Sequence, residues 1–308
     1  MNMSQQIVIL GIFVADAAYR ADRLPRLGET ILGHHFRLGP GGKGSNQSVA
    51  AARAGGDVHF ITRLGRDAFA DMARDLWRDA GVTPDVTEDP DSYTGSAFIF
   101  LEAATGQNAI IVAQGAAARI SVADVEARRG LIEGAGLFMT QLEQPLDAAE
   151  HGLRIARGAG VRTILNPAPA AELTDEMLSL CDLITPNESE AEGLTGVTVT
   201  TFADAEAAAD RLIARGVGAA IITMGEKGVL YRKGGQSLHV PARASGPVVD
   251  TTGAGDAFNG GLAVALSQGA AMEQALQFGA AVAGISVTRH GAASAMPTRS
   301  EVEAFLRG

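Results

Sequence analysis

Asp250-Thr251-Thr252-Gly253-Ala254-Gly255-Asp256-Ala257-Phe258-Asn259-Gly260-Gly261 is the stretch on which the reading of this chain turns. It sets three small residues and then a carboxylate at the point where a loop becomes a helix. The residues beyond, among them Leu262, Val264 and Leu266, have few polar interruptions, as in a buried helix. The first turn of a helix leaves backbone N–H groups unpaired, and its dipole adds partial positive charge. Gly253, Ala254 and Gly255 let an anion such as phosphate come close to those amides. Asp256 puts a potential general base beside that anion, and an amide cradle with an adjacent base is what phosphoryl transfer to a hydroxyl needs. A tight turn with an aspartate cap also accounts for the Gly-Ala-Gly-Asp core.

Outward from this stretch, short β-rich apolar runs alternate with helical patterns. Strands are expected at 7–12, 58–62, 137–140, 162–166, 183–185 and 220–223, and helices at 45–54, 69–80, 123–133, 147–159 and 203–215. Gly55, Gly81, Gly160 and Gly216 stand where helix stops place glycine. Such alternation predicts an α/β fold, a mostly parallel central sheet with helices on both faces. No internal repeat or linker divides the chain, so one domain over 1–308 is expected. Segments 13–38 and 92–112 lack a helical period. The second contains two alternating runs around Thr105-Gly106-Gln107-Asn108, the pattern of a hairpin. Together they predict a small β lid at the sheet's open edge, with plain surface loops as the competing reading.

Composition excludes several classes. The chain has 308 residues, 46% of them hydrophobic and 19% charged, enough to build a core and unlike a disordered chain. A net charge of −10 argues against duplex nucleic acid as a partner, which would need a basic face. The single Cys181 rules out an intramolecular disulfide framework and fits a reducing compartment. The apolar run Ile7-Val8-Ile9-Leu10 is too short for a signal-peptide core or a membrane span, so a cytoplasmic protein with no membrane partner is expected. The six histidines form no His-Glu-x-x-His or zinc set and receive no role.

Four further segments carry chemistry. Gly39-Pro40-Gly41-Gly42-Lys43-Gly44-Ser45-Asn46-Gln47 opens a helix. Its Gly39-x-Gly41-x-x-Gly44 spacing formally matches a dinucleotide fingerprint, yet no buried strand precedes it, and Lys43 is followed by Gly44, so it is no P-loop either. Glu143 follows the strand at 137–140, and ligands of open α/β sheets gather at such strand ends. Asn187-x-x-Glu190 sets an amide and a carboxylate on one side of a first helical turn, suited to a hydrated magnesium ion and equally to a helix cap. Thr223-Met224-Gly225-Glu226-Lys227-Gly228 places two glycines in a turn after a strand.

Taken with Asp16, Leu24-Pro25-x-x-Gly28-Glu29-Thr30 and Asn166-Pro167-Ala168-Pro169, these motifs resemble the ribokinase-like sugar kinase family over nearly the whole chain. The resemblance implies that Asp256 is the catalytic base and that Gly253, Ala254 and Gly255 form an anion hole. It implies sugar contacts from Asp16, Gly42, Lys43, Asn46, Glu143 and Asp256, and ATP contacts from Asn187, Thr223, Gly225, Gly228 and Gly255. Magnesium would be held through water by Asn187 and Glu190. Potassium would be held mainly by carbonyl oxygens of Asp250, Thr252, Ser286, Arg289 and Gly291. The implied reaction is phosphorylation of a pentose's primary hydroxyl, D-ribose to D-ribose 5-phosphate, by a homodimer joined through the lid. Val14 and Ala117 depart from the pattern, standing where the family commonly carries asparagine, as does the order Ser294-Ala295. Another sugar or a nucleoside as substrate, or a catalytically silent sugar sensor, are the alternatives.

Overall fold

The structure is a computed structural model and describes residues 5–308. Its strands are β1 (Gln6–Leu10), β2 (Val14–Ala21), β3 (His35–Gly41), β4 (Asp57–Leu64), β5 (Thr83–Glu88), β6 (Thr94–Glu102), β7 (Asn108–Gly115), β8 (Leu137–Thr140), β9 (Arg162–Leu165), β10 (Leu183–Ile184), β11 (Ala220–Thr223), β12 (Val229–Lys233) and β13 (Gln236–Val240). Nine of them form one sheet in the order β13-β12-β11-β10-β9-β8-β1-β4-β5. From β11 to β5 every neighbour is parallel, while β12 and β13 add an antiparallel edge.

Strand β1 explains why the sheet is covered twice. Ile7 and Ile9 point into one apolar cluster with the helices Lys43–Arg53, Ala254–Ser267 and Met272–Ser286. Val8 and Leu10 point into a second cluster with Leu146–Gly158 and Phe202–Ala214. All four side chains are fully buried, each contributing about 1.5–3 kcal/mol of transfer free energy. A continuous apolar run is what a strand buried on both faces requires.

A second sheet of four strands, in the order β3-β2-β6-β7, leaves the carboxyl end of β1 after three residues. Register assigns its faces. Asp16 shares a row with Gly39, Ala97 and Val112, whereas Ala17 lies beside Leu38, Phe98 and Ile111 on the opposite face. That opposite face is apolar and open to solvent at Tyr19, Phe36, Leu38, Phe98 and Ile111.

The expected α/β architecture holds, with three local differences. The first helix starts at Lys43 rather than 45, because Gly42 takes the N-cap position at φ 89 and lets β3 run straight into it. The helix expected at 123–133 is two short helices, Val122–Glu126 and Arg129–Glu133, since Arg128 leaves helical geometry. The hairpin β12–β13 was not anticipated, although Gly234-Gly235 between the strands is a two-residue hairpin loop. No helix among the described residues is long and apolar enough to cross a membrane.

Candidate active site

Asp256 is the third residue of the helix Ala254–Ser267, whose N-cap Gly253 is left-handed at φ 75. Ala254 donates its N–H to Thr251 O and Ala257 donates to Gly253 O. Between them, the N–H groups of Gly255 and Asp256 find no acceptor among the described residues. A Cβ added to Gly255 would meet nothing within 4 Å. The two amides therefore open into a cavity of about 160 Å³ whose lining includes Lys43, Asn166, Thr185, Asn187, Glu190, Thr223, Thr251 and the stretch from Gly253 to Asp256. Unpaired amides at a helix start, with no side chain in front of them, favour an anion.

The Asp256 side chain is buried, and each carboxylate oxygen has its own donor. Asn46 Nδ2 reaches Oδ2 at 3.0 Å, and Gln47 Nε2 reaches Oδ1 at 3.0 Å. Burial pushes the carboxyl pKa upward, opposed by the Lys43 charge and by the two amide donors. A carboxylate balanced in this way is suited to accept a proton from a hydroxyl.

Asp16, Lys43, Asn46 and Glu143 gather on the side of Asp256 nearest the small sheet. Glu143 Oε2 accepts the Lys43 main-chain N–H at 2.7 Å, and burial raises this carboxyl to about 7. Asp16 is raised to about 6 by burial, with Arg37 pulling the other way. Its carboxylate lies across Gly41, where a Cβ would come within 2.3 Å of Oδ2. Lys43 loses charge stability by burial, but Asp256, Glu143 and Glu190 outweigh that and keep it protonated. Asn46 Oδ1 is buried with no hydrogen-bond partner among the described residues, which leaves it free to accept from a ligand.

At the other end, Asn187 and Glu190 form a capping box. Asn187 Oδ1 accepts from Glu190 N at 2.8 Å, and Glu190 Oε2 accepts from Asn187 N at 2.9 Å. Both still line the cavity, and burial raises the Glu190 carboxyl. The donor set is all oxygen and fits a hydrated hard cation. Thr223 lies beside Asn187 in an isolated parallel bridge. Gly225 and Gly228 sit in the turn after β11, at φ 52 and φ 100, outside the cavity lining itself.

Asp250 joins two loops, accepting from Thr252 N and Gly291 N at 2.9 Å each. Burial raises its carboxyl, and these hydrogen bonds with the Arg37 charge outweigh it, leaving the pKa lowered. The main chain from Ser286 to Gly291 is thereby held against the loop that carries Thr252. The Arg289 side chain pairs with Glu301 at 2.5 Å, so only its backbone is left for that loop.

Sequence reasoning gave no role to Gln47, Gln141, Asn166, Thr185 or Asn259, yet these buried polar residues stand directly behind the base. Asn166 Nδ2 donates to Thr185 O at 3.0 Å, and Thr185 Oγ1 donates to Asn259 Oδ1 at 2.7 Å. Asn259 Nδ2 in turn donates to Gly255 O at 2.9 Å. The available signal was their place: Gln141, Asn166 and Thr185 each follow a buried strand at its carboxyl end.

The profile of the pfkB family carbohydrate kinases matches residues 4–299. A ribokinase of Haemophilus influenzae is 39% identical over 305 residues, covering 99% of both chains. A deoxyribokinase of Salmonella typhi is 36% identical over 302 residues, 97% of this chain and 98% of its own. Among solved structures, an Arabidopsis thaliana ribokinase complexed with ribose and ATP superposes with a TM-score of 0.93 at 32% identity, over 99% of this chain and all of that one.

Proposed function

This chain belongs to the pfkB family of carbohydrate kinases, and from that membership we propose that it phosphorylates the primary hydroxyl of D-ribose with ATP, giving D-ribose 5-phosphate. One observation carries the reading: a buried carboxylate with a donor on each oxygen stands beside two open amides at a helix start. Asp256 takes the proton from the sugar hydroxyl, whose oxygen attacks the γ-phosphorus in line, and ADP leaves. The proton ends on the Asp256 carboxyl. The expected hole of Gly253, Ala254 and Gly255 shifts by one residue, because the Ala254 N–H is held by Thr251 O; the open amides of Gly255 and Asp256 supply it, and their fixed dipoles stabilise charge on the transferring group. Asp16, Gly42, Lys43, Asn46 and Glu143 hold the sugar, and Asn187, Thr223, Gly225 and Gly228 hold the nucleotide.

Asn187 and Glu190, which line the cavity with oxygen donors, would hold magnesium, and the ion would supply neutralisation of phosphate charge. Carbonyl oxygens of Asp250, Thr252, Ser286, Arg289 and Gly291 would hold potassium, and its charge would help to order the loop before Asp256. The small sheet acts as a lid within a single domain. Its outer apolar face, with Tyr19, Phe98 and Ile111, is covered by a second copy in a homodimer. A cytoplasmic location, where ATP is supplied, belongs to the same proposal.

A second substrate has support from one observation. Val14 and Ala117 are buried in the same apolar cluster and offer no hydrogen-bonding side chain, so a deoxy sugar is the competitor to ribose. ADP release from Mg-ATP over ribose, 2-deoxyribose, other sugars and nucleosides, with and without potassium, tests both. Turnover with ribose supports the proposal, turnover with 2-deoxyribose alone moves the specificity, and silence across the panel overturns the kinase reading in favour of a sugar sensor.

A further inference from the structure

Resting on the reading of Asp256 as the base, we propose that Gln47 is the positioning residue that aims the Asp256 carboxylate, acting through a hydrogen-bonded chain of buried amides. The chain has a fixed origin. Thr185 O is a main-chain carbonyl and can only accept, so the Asn166 group facing it at 3.0 Å is Nδ2. Asn166 Oδ1 then faces Gln47 and accepts from its Nε2 at 3.0 Å. The same Nε2 gives its other hydrogen to Asp256 Oδ1. Gln47 Oε1 accepts from Gln141 Nε2 at 2.5 Å.

A flipped Gln47 would put oxygen against Asp256 Oδ1 and Asn166 Oδ1, and nitrogen against the Gln141 donor. Only one orientation satisfies the set, and Gln47 is fully buried, so water cannot compensate another. Asn46 is different. Its Nδ2 holds Asp256 Oδ2, but its own oxygen has no protein partner, so its amide is not anchored on the far side. Of the two donors to the base, Gln47 is the one fixed from behind, and it transmits the position of β9 and β10 ends to the carboxylate.

The charged groups facing Asp256 are Lys43 on the Lys43–Arg53 helix that also carries Gln47, Glu143 after β8 and Glu190 at the start of Glu188–Thr195. All three stay in place when Gln47 is changed, so a shift in pH dependence reports Gln47. The experiment measures kcat and sugar KM against pH for wild type, Gln47→Leu, Gln47→Glu and Asp256→Asn, with a thermal melt of each. Loss of the Gln47 donor lowers kcat by about ten- to hundredfold with sugar KM little changed. It also moves the acid limb of the kcat profile upward by about one pH unit, because the ionised base loses a hydrogen bond. Gln47→Glu keeps the shape and the bond from Gln141 but adds a like charge, so its limb moves further. It also carries the test if Gln47→Leu does not fold.

Lower melting with kcat and acid limb unchanged in both Gln47 variants means that Gln47 only packs, and the proposal is overturned. Wild-type turnover in Asp256→Asn would overturn the base reading and this inference together. An inactive Asp256→Asn beside unshifted Gln47 variants overturns the Gln47 inference alone.

Discussion

Asp256→Asn separates the chemistry from the fold, and the structure sets the size of both effects. The substitution keeps the shape. Asparagine can accept from only one of the two donors, Asn46 Nδ2 and Gln47 Nε2, and turns an amide toward the other. One hydrogen bond to a charged group is lost, about 1.5–3 kcal/mol. Against this stands the burial of the wild-type charge. The folded-state pKa of Asp256 lies above its ordinary value of 3.8, so folded protein binds this proton more tightly than unfolded chain does. The stability from that proton is complete below about pH 4 and is lost as pH rises through the folded value. Asparagine does not titrate and escapes the loss. Around neutral pH the two effects oppose, and the net change is expected within about 2 kcal/mol, a few degrees in melting temperature. Turnover is expected to fall by about two to four orders of magnitude. Coupled ADP-release kinetics and calorimetric melts between about pH 4 and 8 read both. Near-normal turnover refutes the assignment of the base. A variant that loses stability relative to wild type as pH is raised refutes the electrostatic argument.

Three other outcomes follow from the same geometry. Gly255→Ala adds a methyl that meets no protein atom, so melting should hold or rise slightly while turnover drops at least about tenfold; equal turnover would mean no ligand approaches those amides. Gly42→Ala forces a Cβ to within 2.5 Å of Ile12 O at φ 89, and should cost at least about 2 kcal/mol by denaturant unfolding. Glu143 has its carboxyl raised to about 7, so sugar KM should improve as pH rises through that value and the carboxylate forms. In Glu143→Gln that inflection should vanish and stability above it should increase relative to wild type; an inflection that persists in the variant assigns it to another group.

Much of the site was legible because its signals are local. The start of the Ala254–Ser267 helix is signalled by a few consecutive small residues and a carboxylate, and the structure places open amides beside Asp256 there. Helix and strand order followed from periodicity, because an apolar face is written into a window of some ten residues. Asn187 and Glu190 show the limit of such reading. Their spacing suits both a helix cap and a metal, and the capping box is present while both residues still line the cavity.

The order of residues alone thus determined the α/β layering, the helix start and the identity of the carboxylate beside it. Tertiary structure decided what that carboxylate touches. Asn46 and Gln47 reach Asp256 across 210 and 209 positions of chain, and Glu143 meets Lys43 across 100. Hydrogen bonds act over about 3 Å, so partners are chosen by which strand ends lie side by side. That order depends on packing of the whole sheet, where closing a long loop costs little more than closing a short one, and local sequence does not record it.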